Sequence, residues 1–138
     1  MSAARTHPSP AAAVAEFHRA FGLPSRDRPE ADVGRADAEL RVRLLREETE
    51  EFAEASAAGD LVAVADALAD IVYVAYGTAD VYGIDLDAVV AEVHRSNMTK
   101  LDGSGRPVLR ADGKVLKSER YRPPDVAGVL ARQAGGSA

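Results

Sequence analysis

The chain has no cysteine, only three histidines and no surplus of positive charge, and each lack removes a class of chemistry. Without cysteine there are neither disulfides nor thiolate metal ligands, which fits a reducing cytoplasm. The histidines are His7, His18 and His94, and none stands three residues after a glutamate. The paired Glu-x-x-His motifs of di-iron and di-manganese bundles are therefore missing. A net charge of −5 argues against a general nucleic-acid binder, which would carry a basic face. The opening MSAARTHPSPAAAVAEF lacks the contiguous apolar core of a signal peptide and is expected to be retained. The run from Leu61 to Ala79 is about as long as a membrane span, yet it carries Asp66 and Asp70. It is expected to be a buried helix of a soluble bundle. No internal repeat is present.

What remains is helical. At 138 residues, 46% of them hydrophobic, the chain is long enough for one domain with a core, expected over 1–138 with 1–9 and 134–138 disordered. Ser9 and Pro10 are suited to cap and start a helix reaching about Phe21, which Gly22 and Pro24 end. A second helix is expected from between Pro29 and Asp37 to Ala57 or Ala58. Gly59 is placed as its C-cap and Asp60 as the N-cap of a third, in a tight turn. The third runs to about Val81 and stops at Gly83, and Asp85 caps a fourth reaching about Ser96. Beyond Asn97 the pattern turns to loops, with a hairpin signal at Asp112-Gly113 and a short last helix from Asp125. The fold class is all-α: an antiparallel bundle of four to five helices with a short loop or hairpin region near the C-terminus.

The stretch from Arg43 to Thr78 carries acids where an apolar stripe should continue. On a helical wheel, Leu44, Leu45, Phe52 and Ala55 form one apolar quadrant with Glu48 at its centre, Glu51 at its flank and Glu47 at its edge. Asp66 and Asp70 lie on one face of the next helix. A turn at Gly59-Asp60 sets Glu51 opposite Asp66 and Glu48 opposite Asp70. Burying ionised carboxylates is costly, so such facing acids call for a cation. A hard divalent ion takes oxygen ligands, and a Mg²⁺ site of this kind is suited to binding a polyphosphate and activating water to attack phosphorus. Each acid taken singly could equally be a solvated helix residue.

The same residues carry a resemblance. Glu47-Glu48-Thr49-Glu50-Glu51 fits an EExxE motif, and DALADIVYVAYGTADVYGID, EVHRSNMTK and GKVLKSERYRPPD follow in order. Over roughly Val14 to Asp125 the chain resembles the all-α nucleoside triphosphate pyrophosphohydrolases. The likeness is to the small single-domain MazG-like and phosphoribosyl-ATP pyrophosphohydrolase-like branch. The superfamily's second motif is usually ExxD, and here Ala67 stands where its glutamate would be.

That resemblance implies Mg²⁺-dependent cleavage of a nucleotide between its α and β phosphates, with Mn²⁺ as the alternative ion. Glu48, Glu51 and Asp70 would be metal ligands, with Asp66 the substitute for the ligand missing at Ala67. Glu47 would hold a second ion or orient the attacking water, so that Glu47 and Glu48 are the catalytic pair. Asn97 and Lys100 resemble the family's phosphate- or sugar-contacting pair, and Lys117 and Tyr121 are candidates beside them. For the base, Phe17, His18, Phe21, Tyr73 and Tyr76 are the available stacking surfaces, although Phe17 and Phe21 read more readily as core. The competing reading is a non-enzymatic oligomeric helical module with an acidic face. A third helix apolar nearly all round also predicts a homodimer or higher oligomer. Neither a nucleic-acid polymer nor a membrane is expected as a partner.

Overall fold

The computed structural model describes residues 7–135. The element order is α1 Pro10–Ala20, α2 Arg35–Ala58, α3 Leu61–Tyr82, α4 Leu86–Met98, β1 Val108–Leu109, β2 Val115–Leu116 and α5 Val126–Gln133. The protein is all-α apart from one two-stranded ribbon, as its periodicity predicts. Two compact units are formed, one ending at Ile84 and the other beginning at Asp85.

In the first unit, each helix boundary has a local cause. Ser9 accepts the amide of Ala12 at the start of α1, and Pro10 occupies a first-turn position where a missing N–H costs nothing. Gly59 closes α2 in the left-handed conformation at φ 66°, and Asp60 caps α3 by accepting the amide of Ala63. The two longest helices are thus joined by two residues, and α3 packs along both α2 and α1. The α1–α2 connection crosses the end of α3. The amides of Arg26 and Glu30 donate to the carbonyls of Asp80 and Tyr82, and the Arg26 guanidinium donates to Val81. The last carbonyls of the helix are satisfied in this way, that of Asp80 jointly with the amide of Gly83. Gly83 sits under that crossing at φ 71°, and a Cβ there would lie 1.9 Å from the Arg28 carbonyl oxygen.

By length and composition α3 could cross a membrane. Here its packed face, with Ala67, Gly77, Ala79 and Val81 buried, belongs to the first unit, while Leu61, Val62, Leu68 and Val72 are exposed.

In the second unit, Asp85 caps α4 through the amide of Ala88, and Asp125 caps α5 through that of Gly128. Gln133 on α5 both donates to the Asp85 carbonyl and accepts its amide, which ties the two helices together. The expected hairpin is present and antiparallel, pairing Val108 with Leu116 and Leu109 with Val115. Gly113 takes the positive φ that its turn needs, and Arg110 is ion-paired with Asp112. Of the ends expected to be disordered, 1–6 and 136–138 lie outside the described residues. Within them, Ser9 caps α1 and the amide of Ala134 closes α5 on Leu130.

Candidate active site

The interface between α2 and α3 is where the acids meet. α2 turns Arg41, Glu48 and Ala55 toward α3 at seven-residue spacing, two helical turns apart. Arg41 and Ala55 are buried and Glu48 is half-buried. From α3, Ala67, Asp70, Val74 and Gly77 follow one another at three- and four-residue steps along the answering face. Carboxylate oxygens of Glu48, Glu51 and Asp70 all lie within 4.8 Å of one another. One oxygen of Glu48, Oε2, is buried with no hydrogen-bond partner.

Burial pushes the Glu48 carboxyl above the usual carboxylate range, and the charges of Glu51 and Asp70, a hydrogen bond with Glu51 and the charge of Glu47 push it further. Such a group is relieved by a proton or by a cation. A donor set made only of carboxylate oxygens, with one oxygen unsatisfied, fits a hard divalent ion such as Mg²⁺. Glu47 is exposed beside Glu48, and Asp66 is exposed and outside the three-acid group. Ala67 is the residue turned into the interface at that level, 3% exposed. The wheel places Asp66 near Asp70, but it is Ala67 that packs, and Asp66 is left facing solvent.

A cleft of about 300 Å³ adjoins the acids, lined by Glu48, Asp70, Arg41, Phe17, His18 and Tyr73 among others. Phe17 meets Tyr73 edge-on at 5.6 Å between ring centroids and Phe21 at 4.4 Å. The expectation that Phe17 and Phe21 are core is corrected: they are 37% and 67% exposed. The buried positions of α1 are Val14 and His18, so the aromatic pair is rotated off the packed face. His18 is a satisfied buried histidine. Its Nδ1 lies 2.9 Å from the Pro24 carbonyl, which can only accept, so Nδ1 carries the hydrogen.

Behind the cleft is a group of polar residues that the periodicity hides. Arg41 donates from Nε to Thr78 Oγ1 and from Nη2 to the Val74 carbonyl, each at 3.0 Å. Gly77 leaves the space: a Cβ there would lie 2.5 Å from Arg41 Nη2 and 2.8 Å from His18 Nε2. Burial lowers the Arg41 pKa, while Asp80 and Asp37 act the other way. Burial likewise raises that of Asp80 against the pull of His18 and Arg41, and Asp80 Oδ2 has no hydrogen-bond partner. The signal was present in the sequence. Arg41 lies seven residues before Glu48, on its stripe, whereas Arg35, Arg43 and Arg46 fall on exposed positions.

The remaining candidates belong to the second unit. Asn97 is exposed in the last turn of α4, and Lys100 is half-exposed just beyond it. Lys117 is exposed with its Nζ 4.8 Å above the ring of Tyr121, which is half-buried. Their neighbours in the motif hold the backbone. Ser96, 1% exposed, donates to the Arg122 carbonyl at 2.7 Å, and Thr99 accepts the Arg122 amide at 2.8 Å. Ser118 donates to the Leu101 carbonyl. SNMTK thus alternates pins and presented side chains, which motif matching alone does not separate.

An uncharacterized protein of Acanthamoeba polyphaga mimivirus is 32% identical over 109 residues, 77% of this chain and 41% of the viral protein. The chain therefore spans less than half the length of that relative. The family model for phosphoribosyl-ATP pyrophosphohydrolase matches residues 14–97, from α1 to the last turn of α4 and across all three clustered acids. By that match, this chain belongs to the phosphoribosyl-ATP pyrophosphohydrolase family.

Proposed function

We propose that the protein is a Mg²⁺-dependent nucleotide pyrophosphohydrolase that cleaves a nucleoside or deoxynucleoside triphosphate between its α and β phosphates. The products are a monophosphate and pyrophosphate. The observation that carries the reading is the buried, partnerless Glu48 oxygen among three mutually close carboxylates. Family membership supports the reaction class, a hydrolase acting on phosphoric anhydrides.

Glu48, Glu51 and Asp70 would hold the ion, Mg²⁺ or Mn²⁺. When bound, such an ion neutralises charge on phosphoryl oxygens and lowers the pKa of water. The chain's own part is to place these ligands on two helices fixed by a two-residue turn, so that little reorganisation accompanies binding. Glu47, exposed next to Glu48, is assigned as the group that accepts the proton of the attacking water. Asp66 is assigned an outer role beside the acids, through solvent. Asn97, Lys100, Lys117 and Tyr121 are assigned to the phosphates and sugar, for which an amide, two ammonium groups and a phenol are suitable donors. The exposed apolar side of α3, with a groove of about 400 Å³ between it and α1 lined by Val14, Leu68 and Val72, supports a homodimer. With it we propose a cytoplasmic location.

The test is incubation with Mg²⁺ and a panel of ribo- and deoxynucleotides, scoring pyrophosphate against orthophosphate. Pyrophosphate in amounts equal to monophosphate is expected. Orthophosphate as sole inorganic product would overturn the α–β assignment, and no hydrolysis with any nucleotide would return the chain to a binding module.

A further inference from the structure

We propose that Arg41 reads the base of the nucleotide, selecting bases that present two adjacent hydrogen-bond acceptors. The inference rests on the nucleotide reading above and extends it to specificity. Arg41 is 9% exposed, yet it lines the cleft that also holds Glu48 and Asp70. A guanidinium has five N–H donors in a rigid plane. Thr78 Oγ1 and the Val74 carbonyl take the side edge, Nε together with one proton of Nη2. Thr78 in turn donates to the same Val74 carbonyl at 2.7 Å, which locks that pair of acceptors. The end edge, Nη1 with the second proton of Nη2, has no hydrogen-bond acceptor among the described residues, and Asp80 and Asp37 act on Arg41 through their charge without pairing with it there.

A buried cation held by one edge with the other unused is a poor structural bargain and a good receptor. A ligand that displaces solvent from this edge without offering matching acceptors leaves its donors unpaired, which is costly, so it is rejected.

Position decides which part of a nucleotide meets it. Along α3, Val74 and Thr78 lie four and eight residues beyond Asp70, a rise of roughly 6 and 12 Å. A triphosphate held at the acids with its nucleoside running along this cleft would have its base, rather than its phosphates, at the level of Arg41. The aromatic edge of Phe17 and Tyr73 on the same cleft provides a face on which a base can stack. An arginine fork pairs with two neighbouring acceptors. Guanine and hypoxanthine offer O6 with N7, and cytosine offers O2 with N3. Adenine sets a donor beside each ring acceptor on its amino edge, and thymine interposes N3–H between its carbonyls.

The experiment compares kcat/KM of the full chain for dGTP, dITP, dCTP, dATP and dTTP with Mg²⁺. Calorimetric binding of dGMP, dCMP and dAMP in EDTA runs in parallel. Wild type is expected to favour the acceptor-pair bases by about tenfold or more. Arg41→Lys, which keeps the charge and loses the fork, should bring the ratios within about threefold, with a fall in Tm from the lost bonds to Thr78 and Val74. Thr78→Val, which removes only the hydroxyl anchoring Nε, should lower the same ratios in part and serves if Arg41→Lys does not fold. The dGTP and dCTP arms separate a purine from a pyrimidine reader. Uniform turnover across the panel, or ratios unchanged in both variants, would overturn the assignment. If no nucleotide is hydrolysed, the activity reading fails on its own. The monophosphate binding then decides: selective binding lost in the variants upholds the role of Arg41, and unselective or absent binding ends it.

Discussion

Replacing Glu48 by glutamine should make the metal-free protein more stable and the metal-loaded protein less so than wild type. The side chain keeps its size and loses its charge. In wild type its carboxylate faces those of Glu51 and Asp70 with oxygens within 4.8 Å. Coulomb's law gives roughly 0.9 kcal/mol per such pair in a water-like medium and more where solvent is displaced. Removing one charge therefore relieves roughly 1–2 kcal/mol, part of which the unfolded chain also feels through the nearby Glu51. For a chain of this length that is a rise in Tm of about 3–8 °C in EDTA. The pH dependence has a definite sign. The folded pKa of Glu48 lies above its unfolded value, so the folded state binds the proton more tightly. Metal-free wild type should gain stability as pH falls through that raised pKa, and the variant should lack the gain. With Mg²⁺ the order reverses. An ion present at 100 times its dissociation constant adds about 2.7 kcal/mol to a protein that binds it, and the glutamine variant forfeits most of that together with turnover. Scanning calorimetry of both proteins in EDTA and in Mg²⁺ checks the crossing. Parallel curves, with the variant never above wild type in EDTA and an equal Mg²⁺ increment in both, would refute the clustered-acid account.

Two further predictions concern the frame around the site. Gly59 and Gly83 share a positive φ but differ in what surrounds them, open space for the first and the Arg28 carbonyl for the second. Gly59→Ala should cost about 1 kcal/mol from backbone conformation alone, whereas Gly83→Ala should cost about 3 kcal/mol or more because the α1–α2 connection must also move. Urea denaturation distinguishes them, and equal losses would remove the packing argument. Ser96→Ala should cost roughly 1–2 kcal/mol by leaving the Arg122 carbonyl with only the long 3.4 Å contact from the Thr99 hydroxyl. Hydrogen exchange should show faster exchange at the Arg122 amide, and an unaltered rate would argue against the pinning role.

Much of the fold was legible because its boundaries are written in single residues. Ser9, Gly59, Asp60, Gly83, Asp85 and Asp125 were each assigned a cap or stop from residue type, and each occupies it in the structure. Glu48, Glu51 and Asp70 were legible because an acid inside an apolar stripe is visible on a wheel. Less legible were positions where the periodicity is right but the partner is unknown. Asp66 and Ala67 are neighbours on α3, and only packing shows which of them faces α2. Phe17 and Phe21 have helical spacing, which states that they share a face without stating whether that face is covered. Arg41 was obscured because its acceptors, Thr78 and the Val74 carbonyl, lie on another helix, and the space it needs is the missing side chain of Gly77.

The two-residue turn at Gly59-Asp60 has a consequence for how the acids come together in time. Glu48 and Asp70 are only about twenty residues apart along the chain, and loop-closure entropy grows slowly with such a length. All three clustered acids lie on one helical hairpin, a contact of low order that can form before α1 docks. An ion held there would act as a staple across a single supersecondary unit. The α2–α3 hairpin is therefore expected to be the part of the first unit whose amides gain most protection from exchange when Mg²⁺ is added.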